Sequence, residues 1–240
     1  MSMVPHMPSG FSCFVTGTDT EIGKTLISSA LLYGLGQSGV RAAGMKPLAS
    51  GAELRDGVWH NDDVDQIHAA APLKLPQEIT TPYLLRTPVG PHLAAALDGV
   101  HIEPAHILRC YARVRAQADA VVVEGVGGFR VPLTEGYDTA DLARDLALPV
   151  VLVVGLRLGC INHALLTADA IVARGLNLAA WVANTVDPAM GQMQGNIEAL
   201  RARLSAPLLG HVPRLPQANA AAAADYLDFS LLERACSAKY

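Results

Sequence analysis

The sequence is short of the features that mark several large functional classes. Its 240 residues carry a formal net charge of −4 and no basic cluster. Neither nucleic acid nor an anionic membrane is therefore an expected partner, because both are recognised through concentrated positive charge. The longest apolar run, Leu146 to Leu156, contains Pro149 and Gly155 and is too short to span a bilayer, so it reads as a core strand. Four cysteines (Cys13, Cys110, Cys160 and Cys236) are scattered, without the paired spacing or clustered histidines of a metal site. That pattern counts against a metallochaperone and suits a reduced, cytoplasmic protein. The first ten residues are polar and proline-containing, with no apolar stretch that could serve as a signal peptide; residues 1–10 are expected to form a flexible N-terminus. No internal repeat or linker is visible.

What is present is a large apolar fraction, 51%, rich in Ala and Val, which suits a buried parallel sheet wrapped by helices. Short β-branched runs alternate with segments of helical spacing. Strands are expected at Phe11–Thr16, at Val40–Met45, and in "DAVVVEGVGG", "PVVLVVG", "LAAWVANTV" and "PLLGHVP". Helices are expected at Thr25–Gln37, Asp62–Ala71, Pro104–Gln117, Thr139–Leu146, Asn162–Arg174, Gln194–Leu204 and Asp225–Cys236. This alternation implies right-handed crossovers and a single α/β domain over residues 11–240, with a mostly parallel sheet flanked by helices. Gly51 to Pro91 reads as the loosest part, expected to hold lid-like or substrate loops.

The stretch "FVTGTDTEIGKT", Phe14 to Thr25, lies between an expected strand and an expected helix. That is the setting of a phosphate-binding loop, in which backbone N–H groups and the positive end of the helix cradle an anion. The usual spacing puts four residues between the first glycine and Gly-Lys-Thr, whereas five lie between Gly17 and Gly23: Thr18, Asp19, Thr20, Glu21 and Ile22. Lys24 is placed to reach the terminal phosphates and Thr25 to ligate Mg²⁺. The fold type is thus that of a P-loop NTPase. Glu124 ends a strand before the glycine turn "GVGG", and "NDDVD", Asn61 to Asp65, offers a second carboxylate at a helix start. In a parallel sheet these strand ends share one edge with the loop. Lys46, in "AGMKPLASG", sits at another strand end on that edge, so two cations would surround one site, as phosphoryl transfer between anions requires. Lys46 is expected to be exposed there, important for turnover and of little weight in stability.

The motifs "GTDTEIGKT", "AGMKPLASG", "VEGVGG", "LGCINHALLT" and "WVAN" run in order from Phe14 to about Leu215 and resemble those of the dethiobiotin synthetase family. The five-residue loop spacing is itself typical of that family. The resemblance implies an ATP- and Mg²⁺-dependent ligase that carboxylates 7,8-diaminononanoate with CO2 and closes the ureido ring of dethiobiotin in biotin biosynthesis. It implies that Lys24, Lys46 and Thr20 are catalytic, with Thr20, Glu21, Lys46 and Ser50 around the diamine and carbamate. Thr25, Asp63 and Glu124 match the Mg²⁺ ligands, Asp63 being preferred to Asp62 by its alignment to the following helix. The nucleotide is implied to meet Glu21 to Leu26 (through Ile22, Gly23, Lys24 and Thr25), Asp63, Gly125, Val126, Gly127, Asn184, Thr185, Pro213, Arg214 and Leu215. A homodimer is also implied, with Leu158, Gly159, Cys160, Ile161 and Asn162 binding the diamine's carboxylate across the subunit interface.

Some positions depart from the pattern. Val126 stands where relatives often have Ala, and "RLPQANAAAAAD" after Pro213 lacks a nearby acid found in some relatives. "NTVD", Asn184 to Asp187, copies the guanine-reading Asn-Lys-x-Asp signature but has Thr185 in place of the lysine. The rival readings are a partition- or positioning-type ATPase switch, and a related amide-forming ligase. The switch proteins carry a lysine near the first glycine, and Thr16 to Ile22 has none.

Overall fold

The computed structural model describes residues 10–232. Its central sheet contains β1 (Cys13–Gly17), β2 (Ala42–Met45), β3 (Ala120–Glu124), β4 (Val150–Leu156), β5 (Leu178–Thr185) and β6 (Leu208–Val212). The spatial order is β6-β5-β4-β1-β3-β2, with every neighbouring pair parallel. Every residue of β1 to β5 is buried, because helices cover both faces; this is why these segments read as unbroken apolar runs. Side chains alternate between two cores. Phe14, Val121, Val123, Leu152 and Trp181 enter one core, and Val15, Val122, Val151 and Val182 the other. The first helix, Lys24–Gln37, closes the second core through Ile27, Leu31 and Leu35. Helices Pro104–Arg115, Thr139–Leu146, Cys160–Ala173 and Met193–Arg201 cover the first.

β1 lies between β3 and β4, so the strand order reverses there and the carboxyl ends of the strands open a crevice. The loop before the first helix, Lys46, the glycine turn after β3 and the end of β5 all meet at this edge.

Two expectations need correction. The expected helix Asp225–Cys236 does not start at Asp225. Instead a short helix, Ala220–Ala224, is capped by Asn219, whose side chain accepts the Ala222 N–H at 3.1 Å. The chain then turns, and the Asp228 N–H donates to the Leu209 carbonyl at 2.8 Å. Burial of both Leu227 and Phe229 requires this extended step. Residues 230–232 are helical, so part of the expected helix is present after this step; its continuation from residue 233 lies outside the described residues, as do residues 1–9 of the expected N-terminal segment. The segment Gly51–Pro91 is also more ordered than its composition suggests. It holds a hairpin (Glu53–Arg55 with Val58–His60) and helices Asp62–Ala70 and Gln77–Thr80. Tyr83–Leu84 adds a parallel bridge to Leu48–Ala49. Helix Pro91–Asp98 was not anticipated, although Pro91 at its start and Gly99 past its end are ordinary boundary signals. No helix among the described residues is long and apolar enough to cross a membrane.

Candidate active site

The loop after β1 is pinned to its neighbours by backbone and side-chain bonds. The Thr18 N–H donates to the Val153 carbonyl at 3.0 Å, and Asn184 Nδ2 donates to the Ile22 carbonyl at 2.8 Å. Gly23 has φ 89, and a Cβ there would lie 2.3 Å from Asn184 Nδ2, so both conformation and space require glycine. Ile22 is buried and serves the loop as a hydrophobic peg. The longer spacer therefore leaves the cradle intact and turns Asp19, Thr20 and Glu21 toward a cleft of about 930 Å³.

At the base of this cleft, β2, β3 and two helix starts converge. Lys46 Nζ lies 2.6 Å from Glu124 Oε1 and 3.1 Å from Asp63 Oδ2. Thr25 Oγ1 lies 2.7 Å from Asp63 Oδ1 and 3.0 Å from Glu124 Oε1. Lys46 is only 3% exposed, which corrects the expectation of an exposed strand-end lysine: the bridge at Leu48–Ala49 and helix Asp62–Ala70 wall it in. Burial disfavours its ammonium, but Glu124 and Asp63 outweigh that and hold its pKa above the ordinary value. Burial likewise disfavours the Asp63 carboxylate, while Lys46 and the Thr25 hydroxyl hold it below the usual range. Lys24 Nζ donates to the Asp19 carbonyl at 2.7 Å. Its pKa is lowered to about 8, mainly by burial, with Lys46 adding and Glu124 and Asp63 opposing.

The adjacent Asp62 points outward to Arg55 at 2.9 Å. Helix geometry thus gives Asp62 and Asp63 different roles.

Thr25, Asp63 and Glu124 offer hard oxygen donors around one point, and Glu124 Oε2 is buried without a hydrogen-bond partner. Two carboxylates and a hydroxyl, with room for phosphate oxygens, suit Mg²⁺. One hydroxyl and two carboxylates make a donor set of the sparse kind that Mg²⁺ uses with a nucleotide.

Most of the other expected residues gather at the same cleft. Thr20, Glu21, Leu26, Ser50, Val126, Gly127, Asn184 and Arg214 line it, and Gly125 follows Glu124 directly. Ser50 Oγ is buried with no hydrogen-bond partner. Thr185 faces away, its hydroxyl 2.8 Å from His211 Nε2, because successive residues of β5 point to opposite faces. Pro213 and Leu215 flank Arg214 but do not line the cleft. Leu158, Gly159, Cys160, Ile161 and Asn162 are also outside it. They form the turn and first residues of helix Cys160–Ala173, with Leu158 94% exposed and Cys160 buried.

Residues not singled out from the sequence also shape the site. Asn61 caps the helix that bears Asp63, and its Nδ2 donates to the Ser50 carbonyl at 3.1 Å. Its position before "DDVD" was a visible capping signal. Arg130 lines the cleft, as do Pro88 to Pro91 at the end of the segment expected to hold substrate loops, and Arg157 pairs with Asp19. Nothing local in the sequence marks Arg157.

A switch-point crevice with a phosphate loop, a buried lysine and an oxygen-donor set defines a P-loop nucleotide-dependent enzyme. A family model described as an AAA domain matches residues 12–222. The ATP-dependent dethiobiotin synthetase BioD of Janthinobacterium sp. (strain Marseille) is 64% identical over 230 residues, covering 94% of this chain and 98% of that protein. The chain belongs to the dethiobiotin synthetase family. Among solved structures, the MinC:MinD cell division protein complex of Aquifex aeolicus aligns with a TM-score of 0.56 at 14% identity, over 96% of this chain and 97% of that one. A ParA family ATPase from Chlorobium tepidum TLS aligns at 0.52 and 12% identity, over 95% and 98%. At such identities the likeness is one of fold alone.

Proposed function

We propose that this chain is an ATP-dependent cyclo-ligase that makes dethiobiotin from 7,8-diaminononanoate and CO2. The observation that carries this reading is the meeting of Lys24, Lys46, Thr25, Asp63 and Glu124 at one end of a phosphate-loop cleft, in a chain so close in sequence to a dethiobiotin synthetase.

One amine of the diamine takes up CO2 and releases a proton, giving a carbamate. A carbamate oxygen attacks the γ-phosphorus of ATP, and the bond to the ADP oxygen breaks. The second amine then attacks the carbamoyl carbon of the mixed anhydride; phosphate leaves, a proton is lost, and the ring closes. Negative charge is concentrated where carbamate and phosphate meet, and the buried ammonium groups of Lys24 and Lys46 offset it. Thr20, Glu21 and Ser50 orient the diamine and carbamate; the buried, unpartnered Ser50 hydroxyl supports a polar ligand there. Asn184 and Arg214 flank the nucleoside end, with the backbone of Pro213 and Leu215 beside them.

Thr25, Asp63 and Glu124 would hold Mg²⁺, which when bound supplies positive charge to the phosphate oxygens. The enzyme works as a homodimer in the cytoplasm, the Leu158–Asn162 turn of one subunit completing its partner's site. The exposure of Leu158, 94%, at this turn supports its being covered by a partner subunit.

The test is an assay with diamine, bicarbonate, ATP and Mg²⁺ that scores dethiobiotin and phosphate together. Phosphate release is expected to require the diamine. Rapid ATP hydrolysis indifferent to diamine would refute the ligase reading in favour of an ATPase switch. Mixing Lys46→Ala and Asn162→Ala subunits is expected to restore activity that neither homodimer has; a verified heterodimer without activity would rule out shared sites.

A further inference from the structure

Asp19 is the acid in the long spacer of the phosphate loop, and three bonds define its position. Its Oδ1 accepts the Thr20 N–H at 2.8 Å, its Oδ2 accepts from Arg157 Nη2, and its carbonyl accepts from Lys24 Nζ at 2.7 Å. The loop is otherwise tied to the sheet at its two ends, by Thr18 to Val153 and by Ile22 to Asn184. The Asp19–Arg157 pair fastens the stretch between those anchors, and Arg157 follows directly on the buried strand β4. Arg157 thereby fixes the peptide that holds the Lys24 ammonium.

We infer that Asp19 and Arg157 are a positioning pair for Lys24, setting where its ammonium stands relative to the transferring phosphoryl group. The alternative of a purely structural bridge has little support. The two side chains are 44% and 43% exposed, and an ion pair open to solvent contributes little to folding. In catalysis, by contrast, a displacement of about 1 Å can cost as much as ~100-fold in rate. The five-residue spacing gains a reason as well: the extra length lets an acidic side chain reach β4 while its own carbonyl still faces Lys24. This inference rests on the ring-closure reading, because it assigns Lys24 to that phosphoryl transfer.

The test compares wild type with Asp19→Asn, Arg157→Gln, Arg157→Lys and the double variant Asp19→Asn/Arg157→Gln, all as full chains. Initial rates of dethiobiotin formation are measured against diamine and against ATP, with urea midpoints as the folding control. Asp19→Asn and Arg157→Gln are each expected to lower kcat about tenfold or more. KM for both substrates is expected to stay within about twofold, since the pair positions Lys24, whose charge acts in the transition state. The double variant is expected to be no worse than either single one, as for two groups acting as a unit, and Arg157→Lys to recover most of the rate. Wild-type kcat in Asp19→Asn, or single effects that multiply in the double variant, would overturn the inference. A raised diamine KM confined to the Arg157 variants, with kcat intact, would also overturn it, by making Arg157 a direct ligand of the substrate carboxylate. A wild-type protein that forms no dethiobiotin would instead overturn the ring-closure reading, so the two failures are distinguishable.

Discussion

Replacing Lys46 with alanine is expected to cost stability as well as activity, and the structure sets the scale. The Lys46 and Glu124 side chains are 4% and 0% exposed and 2.6 Å apart. Removing one member of a buried pair leaves an uncompensated charge, at a cost of about 3–5 kcal/mol. The second partner, Asp63, is 46% exposed, so losing that contact adds only about 0.2–1 kcal/mol. Against a typical total of roughly 5–15 kcal/mol, Lys46→Ala should fold but sit close to the edge. For a domain of this size the melting temperature should fall by about 6–24 °C. Coupling predicts that adding Glu124→Gln returns about 1–3 kcal/mol, because the buried carboxylate is then removed as well. Turnover should drop by about 100- to 1000-fold or more in both variants, since the ammonium that offsets transition-state charge is absent. Urea unfolding gives the stability terms, and dethiobiotin formation at saturating substrates gives turnover. A Lys46→Ala protein as stable as wild type, or a double variant less stable than Lys46→Ala, would refute the buried-pair argument.

Three further outcomes follow from the same geometry. Asp63→Asn should weaken Mg²⁺-dependent activity by at least about tenfold while Asp62→Asn changes it little, since only Asp63 faces Thr25; equal effects in Mg²⁺ titrations would undo the assignment. Asn184→Ala removes the 2.8 Å bond to the Ile22 carbonyl and should lower stability by ~0.5–1.5 kcal/mol; an unchanged urea midpoint would show that the loop does not need this tether. At Gly210, far from Lys46, a Cβ would lie 1.9 Å from the Tyr226 carbonyl oxygen. Gly210→Ala should therefore destabilise the fold by about 1–3 kcal/mol, and a urea midpoint equal to wild type would contradict the close packing of the C-terminal segment on β6.

The order of strands and helices was legible because buried parallel strands leave a strong local record. "AVVVE" and "VVLVVGL" are apolar on both faces, and a helix such as Thr139–Leu146 is framed by a capping aspartate and a periodic apolar face. The phosphate loop was legible for the same reason: Gly23, Lys24 and Thr25 act within one strand–turn–helix unit. The C-terminal segment was misread because residues 227–229 obey a distant partner, the Leu209 carbonyl, which overrode their helical pattern. Lys46 was misjudged because burial at a strand end depends on what later segments fold over it, here residues 48–85. Sequence by itself determined the fold type, the phosphate cradle and the identity of the charged groups, all of which rest on contacts between near neighbours in the chain. The preference for Asp63 over Asp62 came from alignment to the following helix, and the structure sets Asp63 against Thr25 as that preference required. Only the tertiary structure decided that Thr185 turns away and that Asp19 meets Arg157, because those depend on which face β5 presents and on a meeting across 138 positions of chain.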